Sequence, residues 1–255
     1  MIETHNLSKN YNAKNAVNNV TLTIQEGEIF GFLGANGAGK TTTVKMLTGM
    51  IFPTSGSAHV AGFDVVQRGI EVKKRIGYVP ENGALFESLT GWEYLQFTAD
   101  LHHLDPHVSL KRIEEFLTLF GLWDERNGRI QQYSKGMKQK ILIAAALIHN
   151  PQVLFLDEPL NGLDANAALV FKELLKKLSG QKKTVFFTSH VLDVVEKLCT
   201  RIVVIHEGII IADGTAAQIA QSTGQATLEE AFHTLTGVRD ARESAQDFLE
   251  ALGRE

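Results

Sequence analysis

The stretch "IFGFLGANGAGKTTTVKML", residues 29–47, decides the fold of this chain. Its first five residues form an apolar run of strand length, and its last residues follow a helical pattern. Between them, residues 34–41 match G-x-x-x-x-G-K-[ST] at every fixed position. That pattern requires a strand before it and a helix after it, and both are predicted here. The sequence therefore predicts a phosphate-binding loop, and a chance match would need the flanking elements to be coincidental as well.

This loop can bind a nucleotide through its backbone. Glycines allow a tight fold in which successive N–H groups surround phosphate oxygens, and the following helix adds the positive end of its dipole. We expect Lys40 to reach the β- and γ-phosphates, and the Thr41 hydroxyl to ligate Mg²⁺. The predicted nucleotide-binding residues of the loop are Asn36, Gly37, Ala38, Gly39, Lys40, Thr41 and Thr42.

Two carboxylates end a second apolar run, "VLFLDEP", residues 153–159. In open α/β sheets, ligands bind at the carboxyl ends of the strands, and adjacent strand residues point to opposite sides. We therefore expect Asp157 to hold Mg²⁺ through water. Glu158 is expected to face the γ-phosphate and to orient or deprotonate the attacking water. The competing interpretation is a pair of solvated acids at a strand end.

His190 ends a third apolar run, "TVFFTSH", residues 184–190. A lone histidine is commonly a surface residue or a structural residue. Because this one ends a strand at the same predicted edge of the sheet, contact with the γ-phosphate is the other interpretation. The residues alone favour neither.

The order of elements predicts an α/β fold. Runs such as "VLFLDEP", "TVFFTSH" and "RIVVIHEG" are typical of strands buried on both faces of a parallel sheet. The sequence therefore predicts an α/β core, with a mainly β element near the N-terminus and a helical insertion at about residues 89–150. We expect one ATPase domain over residues 1–220 and a helical C-terminal extension over residues 221–255.

Composition limits the class of protein. The chain has 255 residues, of which 44% are apolar and 21% charged, and its net charge of -4 does not favour a nucleic-acid-binding protein. Its longest clean apolar run, residues 141–148, is far shorter than the roughly 20 residues that span a bilayer. We expect a soluble chain without a signal peptide, for which another chain must provide any membrane part.

A second turn has the character of an anion site. In "YSKGMKQK", residues 133–140, Ser134 and Gly136 precede an apolar helical run. Taken alone, the stretch is better explained as an ordinary helix start capped by Ser134, with solvated lysines.

Together these pieces resemble the ATP-binding subunit of an ATP-binding-cassette (ABC) transporter over about residues 2–215. They stand in that family's order: "GANGAGKT" as Walker A, "YSKGMKQ" as the signature motif, "VLFLDEP" as Walker B, "LNGLD" as the D-loop and "TSH" as the switch loop. The resemblance implies a P-loop NTPase core of the RecA-like type, with an N-terminal antiparallel β subdomain and a helical subdomain. It also implies ATP and Mg²⁺ as ligands and ATP hydrolysis as the activity. It also implies that Tyr11 stacks on adenine and that Asp164 belongs to the nucleotide site.

The resemblance implies specific partners. In this family two ATPase domains pair head to tail, so Ser134 and the backbone at Gly136 would bind the γ-phosphate of a neighbour's ATP. The neighbour would be a second copy or a homologous ATPase subunit. A transmembrane permease would be the other partner, which places the chain peripherally on the cytoplasmic face of the membrane.

Two departures narrow the resemblance to bacterial exporter ATPases of the drug and sodium export subgroup. The usual signature reads Leu-Ser-Gly-Gly-Gln, whereas this chain has Tyr133, Lys135 and Met137. The glutamine of the Q-loop is replaced by Glu81, which either ligates the metal or only couples to the permease. An importer ATPase is disfavoured by both departures, and a soluble assembly ATPase that acts on a cytosolic scaffold is a further alternative.

The apolar residues Phe86, Leu89 and Trp92 either contact a permease or form the core of the helical subdomain. "TLEEAFHTLTG" and "ARESAQDFLEALG" follow helical spacing and are predicted to form amphipathic helices near the C-terminus.

Overall fold

The computed structural model describes residues 1–12, 14–237, 249 and 252. Its strands form two sheets. They are β1 (Ile2–Tyr11), β2 (Lys14–Ile24), β3 (Ile29–Leu33), β4 (Ser55–Val60), β5 (Phe63–Asp64), β6 (Ile76–Val79), β7 (Val153–Asp157), β8 (Thr184–Ser189), β9 (Arg201–His206) and β10 (Ile209–Gly214).

The smaller sheet is antiparallel, with the strand order β2-β1-β4-β5. The larger sheet has the order β10-β9-β3-β8-β7-β6. Its strands run parallel except for β10, which pairs antiparallel with β9. Parallel strands need crossover connections, and helices provide most of them here.

The helices are α1 (Lys40–Leu47), α2 (Gly69–Lys73), α3 (Gly91–Leu101), α4 (Pro106–Leu119), α5 (Lys135–Leu147), α6 (Ala165–Gly180), α7 (Leu192–Leu198), α8 (Ala216–Ser222) and α9 (Leu228–Thr236), with a 3₁₀ turn at Ile130–Gln132. Several begin at a side chain that accepts a backbone N–H. Thr90 caps α3 within a capping box, Asp105 caps α4, and Asp164 caps α6. These caps satisfy donors that the helix itself leaves unpaired.

An aromatic core lies between the two sheets. Phe30, Phe32, Phe155 and Phe186 are fully buried there, and the ring of Phe186 lies 5.3–5.5 Å from each of the other three. Helix α1 packs between the sheets, against β2, β4 and β7. The alternation of side chains along each strand sends the other half of the apolar residues to the opposite face.

That opposite face carries the second core. Leu33, Leu154 and Phe187 face helices there, and the cluster extends through α6 and α7 to α9. A third cluster joins α3, α4 and α5 around Leu95, Ile113 and Ile141, which are each fully buried. The helices α3 to α5 thus have apolar contacts of their own as well as contacts with the larger sheet.

The predicted α/β class is confirmed, with a parallel sheet and an antiparallel sheet in the predicted places. The proposed division into an ATPase domain and a C-terminal extension stays a prediction. Helix α9 forms within "TLEEAFHTLTG", whereas "ARESAQDFLEALG" falls outside the described residues apart from positions 249 and 252.

No helix in the described part of the chain has the length and apolarity that crossing a membrane requires.

Candidate functional site

The carboxyl ends of three neighbouring strands form one edge of the larger sheet. In the parallel register, Leu33 of β3 lies beside Ser189 of β8, and Asp157 of β7 lies beside Thr188. A cleft of about 440 Å³ opens at this edge, here called the P-loop cleft. It is lined by Tyr11, Lys14, Ala16, Asn36, Gly37, Gly39, Lys40, Thr41, Thr42, Glu81, Asp157 and Glu158. Most of the predicted nucleotide-binding and metal-binding residues therefore share one surface.

The loop before α1 takes a shape that only glycine accepts at one position. Gly39 has φ of 113°, and a Cβ there would lie 2.5 Å from the carbonyl oxygen of Ala16. Gly39 is also the N-cap residue of α1, so no side chain caps this helix. The N–H groups of its first turn lie at the cleft and remain suited to bind an anion. Predicted Ala38 is buried beneath the surface, and its carbonyl accepts a hydrogen bond from Gly208 N–H.

Lys40 is buried at the floor of the cleft. Its Nζ donates to the carbonyl oxygens of Gly34 and Ala35, at 2.6 and 3.2 Å. Burial lowers the pKa of its amine, and the nearby negative charges of Glu158, Asp157 and Glu81 oppose that shift. A buried cation beside three acids and an uncapped helix terminus is an arrangement that can bind a polyanion together with a metal cation.

Asp157 is almost completely buried at the end of β7. The Thr188 hydroxyl donates to its Oδ1 at 2.5 Å. Its Oδ2 is also buried and has no protein hydrogen-bond partner among the described residues. Because buried polar atoms are nearly always paired, the free oxygen fits a site that a metal-bound water or a metal ion completes.

Glu158 does not continue the strand, which corrects the expectation that it and Asp157 alternate along β7. It has φ of 52°, a left-handed conformation, and its N–H donates to the carbonyl of Thr188 at 3.2 Å. Both acids are nevertheless buried. His190 Nδ1 lies 2.8 Å from Glu158 Oε1, and the Ser189 hydroxyl donates to Oε2 at 3.3 Å. His190 therefore contacts the buried acid as well as solvent.

Two predicted residues lie at the rim of the cleft. Tyr11 ends β1 with 48% of its surface exposed, and Lys9 Nζ lies 5.2 Å from the centre of its ring. An exposed aromatic ring at the mouth of the cleft is suited to stack on a flat ligand. Glu81 follows β6, is exposed, and also lines the cleft.

The signature residues lie outside the P-loop cleft. Ser134 and Gly136, and Asp164 with them, are not among the residues that line it in the described chain. Ser134 is exposed at the start of α5, where its hydroxyl accepts the Met137 N–H at 3.2 Å. A Cβ on Gly136 would lie 2.7 Å from the carbonyl of Gly162.

Helix α5 is tied to the turn that follows the acids. Gln139 is buried, and its Nε2 donates to the carbonyl of Pro159 at 2.9 Å. Lys140 Nζ lies 3.6 Å from Asp164 Oδ2, and the carboxylate of Asp164 also accepts the Ala167 N–H. The N–H bond holds the pKa of this exposed carboxyl below its ordinary value, with help from Lys140. Within one chain, α5 is thus linked to the turn that follows the strand-end acids.

The oxygen atoms at the cleft fit a hard cation that the protein coordinates only in part. Among the described residues, no group of three or more His, Cys, Asp or Glu side chains forms a metal cage. Asp157 Oδ2 and the Thr41 hydroxyl are oxygen ligands of the kind that Mg²⁺ prefers, and Mg²⁺ commonly completes its shell with phosphate and water.

The three apolar residues that are candidates for a permease contact differ in their exposure. Phe86 is 58% exposed and its ring meets Phe97 edge-on at 5.6 Å. Trp92 packs edge-on against Trp123 at 6.3 Å, within the third core. Leu89 is partly buried. Phe86 therefore remains accessible to a partner, and Trp92 belongs to the core of the helices.

Four residues at or beside the site were not predicted from the sequence: Thr188, Ser189, Gln139 and the cleft residue Lys14. Thr188 and Ser189 were visible as two hydroxyl residues directly before His190 at the end of an apolar strand. Gln139 carries no local signal, because its partner lies 20 residues away in sequence.

An uncapped helix terminus after a glycine loop, a buried lysine and strand-end acids on a parallel sheet define a P-loop nucleotide hydrolase. Comparison with known proteins narrows this class, since the family described as "ABC transporter" matches residues 17–161. The chain belongs to that family, and it is an ATP hydrolase of the transport type.

Relatives are similar in sequence to this chain over most of its length. It is 40% identical to the ABC transporter ATP-binding protein NatA of Bacillus subtilis, over 85% of this chain and 89% of that protein. It is 35% identical to the bacitracin transport ATP-binding protein BcrA of Enterococcus faecalis, over 99% of this chain and 86% of that protein.

Solved structures share the fold. An ATP-binding subunit of an ABC transporter has a TM-score of 0.87 and 30% identity, covering 92% of this chain and 99% of that one. The dimeric ATP-binding cassette MJ0796, in a post-hydrolysis state bound to ADP and phosphate, has a TM-score of 0.78 and 27% identity, covering 84% of this chain and 98% of its own.

Proposed function

We propose that this chain is the ATP-hydrolysing subunit of an exporter, and that two copies pair head to tail around two Mg·ATP to drive a separate membrane permease. The proposed pairing is supported by the separation of the predicted site residues within one chain. The P-loop cleft holds Lys40 and Glu158, while Ser134 lies outside it at the exposed start of α5. A second copy could supply its Ser134 across the open side of the cleft.

The start of α5 has the features needed to bind a neighbour's phosphate. Ser134 offers a hydroxyl and Gly136 offers close access to the backbone, while the helix N-terminus attracts an anion. The dimeric cassette MJ0796, which binds ADP and phosphate, supports an assembly of this kind.

Within the cleft, each group has a role that its position supports. Tyr11 stacks on the adenine, and the N–H groups from Asn36 to Thr42 cradle the phosphates. Lys40 leaves the carbonyls of Gly34 and Ala35 and binds the β- and γ-phosphates.

The two strand-end acids are assigned to the metal and to the attacking water. Mg²⁺, when bound, neutralises charge on the phosphates and so offsets their repulsion by the nearby carboxylates. Thr41, and Asp157 through water, would hold it, with Glu81 as a further ligand. Glu158 orients and deprotonates the attacking water, and His190 contacts the γ-phosphate from the same end.

The direction of transport is proposed from the relatives and the signature. A relative that aligns with nearly the whole chain is named for bacitracin transport. The proposed location is the cytoplasmic face of the membrane, with the exposed Phe86 among the residues that face the permease.

Mixing two inactive variants tests the head-to-tail pairing. Lys40→Ala removes the amine that binds phosphate in the P-loop cleft. Ser134→Asp adds a negative charge that repels the neighbour's phosphate, although aspartate still caps α5. If a neighbour supplies Ser134, mixed dimers regain one intact site, made of Lys40 from one copy and Ser134 from the other. We expect ATP hydrolysis to recover to roughly a quarter of the parent rate on mixing, because about half of the dimers are mixed and each has one of two sites.

The matched control is Thr215→Asp, which makes the same capping change at the start of α8. It should leave hydrolysis unchanged. If the two inactive variants show no recovery on mixing although they form mixed dimers, each site lies within one chain and the pairing is wrong.

Transport itself needs a separate test. A tagged chain extracted in mild detergent is expected to co-purify with a multi-span membrane protein, and inside-out vesicles holding both should accumulate substrate only with ATP. Co-purification with cytosolic proteins alone would contradict the exporter assignment.

A further inference from the structure

Asp157 is held by Thr188, the first residue of the "TSH" switch loop and a residue to which the nucleotide site above gives no role. The Thr188 hydroxyl donates to Asp157 Oδ1 at 2.5 Å, and the two residues are paired in the register of β7 and β8. We propose that Thr188 is a positioning residue, which occupies Oδ1 of Asp157 and so leaves Oδ2 as the oxygen that serves the metal of a bound Mg·nucleotide. This inference rests on the proposed metal-binding role of Asp157.

The two oxygens of Asp157 are unlike in their surroundings. Oδ1 has a strong donor, whereas Oδ2 is buried without a protein partner in the described chain. The terminal torsion of an aspartate is soft and two-fold, so a carboxylate without a fixed donor can rotate and exchange its oxygens. A donor to one oxygen removes that freedom and keeps the other oxygen available. Partners of this kind commonly orient a metal ligand without touching the metal.

Threonine suits this task at the end of a strand. Thr188 is fully buried in β8, and its branched side chain has few rotamers, so the backbone sets the direction of its hydroxyl. Its carbonyl also accepts the Glu158 N–H at 3.2 Å. Thr188 therefore contacts both acidic residues, Asp157 through its side chain and Glu158 through its backbone. A side-chain substitution separates these contacts, because the backbone bond remains.

The alternative is that the hydroxyl only satisfies a buried carboxylate and stabilises the fold. Such a role would change the free energy of unfolding and leave the affinity for metal unchanged. A positioning role would weaken metal binding in a chain that still folds and still binds nucleotide without metal. Metal affinity therefore distinguishes the two roles.

The variants are matched in shape and location. Thr188→Val keeps the branched shape and removes the hydroxyl, whereas Thr188→Ser keeps the hydroxyl. Thr184→Val removes a buried hydroxyl at the other end of β8, where it bonds the backbone of Gln25 and Gly27. Mn²⁺ is titrated into each full-length protein saturated with a non-hydrolysable ATP analogue. The concentration of free Mn²⁺ is measured by electron paramagnetic resonance.

We expect Thr188→Val to weaken Mn²⁺ binding about tenfold or more, as is usual for residues that orient metal ligands. Thr188→Ser should stay within about twofold of the parent, and Thr184→Val should match the parent. Binding of the analogue in the presence of a chelator should be the same for all four proteins. The Mg²⁺ concentration for half-maximal hydrolysis should rise in parallel for Thr188→Val.

The failures are distinguishable. If the parent binds Mn²⁺ and Thr188→Val, folded by circular dichroism, binds it equally well, Thr188 has no positioning role. If Thr184→Val loses as much affinity as Thr188→Val, the effect belongs to the strand and the inference also fails. If the parent itself does not bind Mn²⁺ with the analogue, the proposed metal role of Asp157 is wrong, and the inference falls with it.

Discussion

His190 Nδ1 lies 2.8 Å from Oε1 of Glu158, whose side chain is only 6% exposed although that of His190 is 57% exposed. Ser189 donates to the other oxygen of the same carboxylate. Two consecutive residues of one strand end thus hold both oxygens of Glu158. The carboxylate can be fixed before any ligand arrives, which is the preorganisation that a general base needs.

Glu158→Gln is predicted to separate ATP binding from hydrolysis. The amide keeps the size of the side chain but cannot accept a proton, so turnover should fall about 10²- to 10⁴-fold. ATP binding should persist, and a closed dimer should accumulate. Steady-state phosphate release and light scattering after gel filtration with Mg·ATP measure the two effects. Glu173→Gln, on the exposed side of α6, is the control with near-parent activity, and a Glu158→Gln protein that hydrolyses normally would contradict the assigned role.

Lys40→Met is predicted to abolish the stabilisation that ATP gives. At an ATP concentration about 100 times the dissociation constant, a ligand stabilises the native state by about 2.7 kcal/mol, and the variant should lose this. Without ATP the variant should melt no lower than the parent. The pKa of Lys40 is lowered because burial disfavours its charge, so the charged amine at neutral pH is a cost to the native state. Thermal melts with and without ATP measure both effects.

Lys45→Met is the control on the same helix, because Lys45 lies in the last turn of α1, away from the cleft lining. It should keep the full shift with ATP. A Lys40→Met protein with an undiminished shift would show that the buried amine does not bind the phosphates.

Gln139→Leu is predicted to destabilise the chain by about 1–3 kcal/mol, because the carbonyl of Pro159 would stay buried without its donor. Urea unfolding measures this. Gln131→Leu, at an exposed position of the 3₁₀ turn, should change the free energy of unfolding by no more than about 0.5 kcal/mol. Equal effects of the two substitutions would show that the bond from α5 to the turn after Glu158 contributes little.

His149 is predicted to make stability fall in mild acid. It stacks on His102 with ring centres 3.6 Å apart, and its Nε2 lies 2.9 Å from the carbonyl of Ile76. Burial lowers the pKa of His149 to about 4, and the charges of His102, Arg112 and Lys183 act in the same direction.

The sign follows from the unfolded chain, where a histidine titrates near 6.5 and takes up its proton first. Stability is therefore full above about pH 6.5 and lost as the pH falls towards about 4, by roughly 1–3 kcal/mol after allowance for partial exposure. Urea unfolding of the parent and of His149→Gln at a series of pH values measures this, and the variant should show a shallower loss. His107→Gln, at the exposed start of α4, should keep the parent's dependence. An unchanged slope in His149→Gln would contradict the prediction.

Much of the site could be predicted because its signals are local. The loop from Gly34 to Thr41 carries its own pattern, and the acids follow an apolar strand run directly. The predicted alternation of Asp157 and Glu158 was wrong, because the chain leaves the strand at Asp157 and turns through a left-handed residue. Periodicity describes a regular strand and says nothing of the residue at which the strand ends.

By itself, the sequence determined the order of strands and helices, the phosphate-binding loop and the identity of the strand-end acids, since these follow from propensity, periodicity and short spacing. Only the tertiary structure decided that Thr188 lies beside Asp157, that Gln139 reaches Pro159, and that Ser134 lies outside the cleft of its own chain. The physical reason is that strand register and helix packing join residues far apart in sequence. The free energy of those contacts depends on the whole core and not on any local pattern.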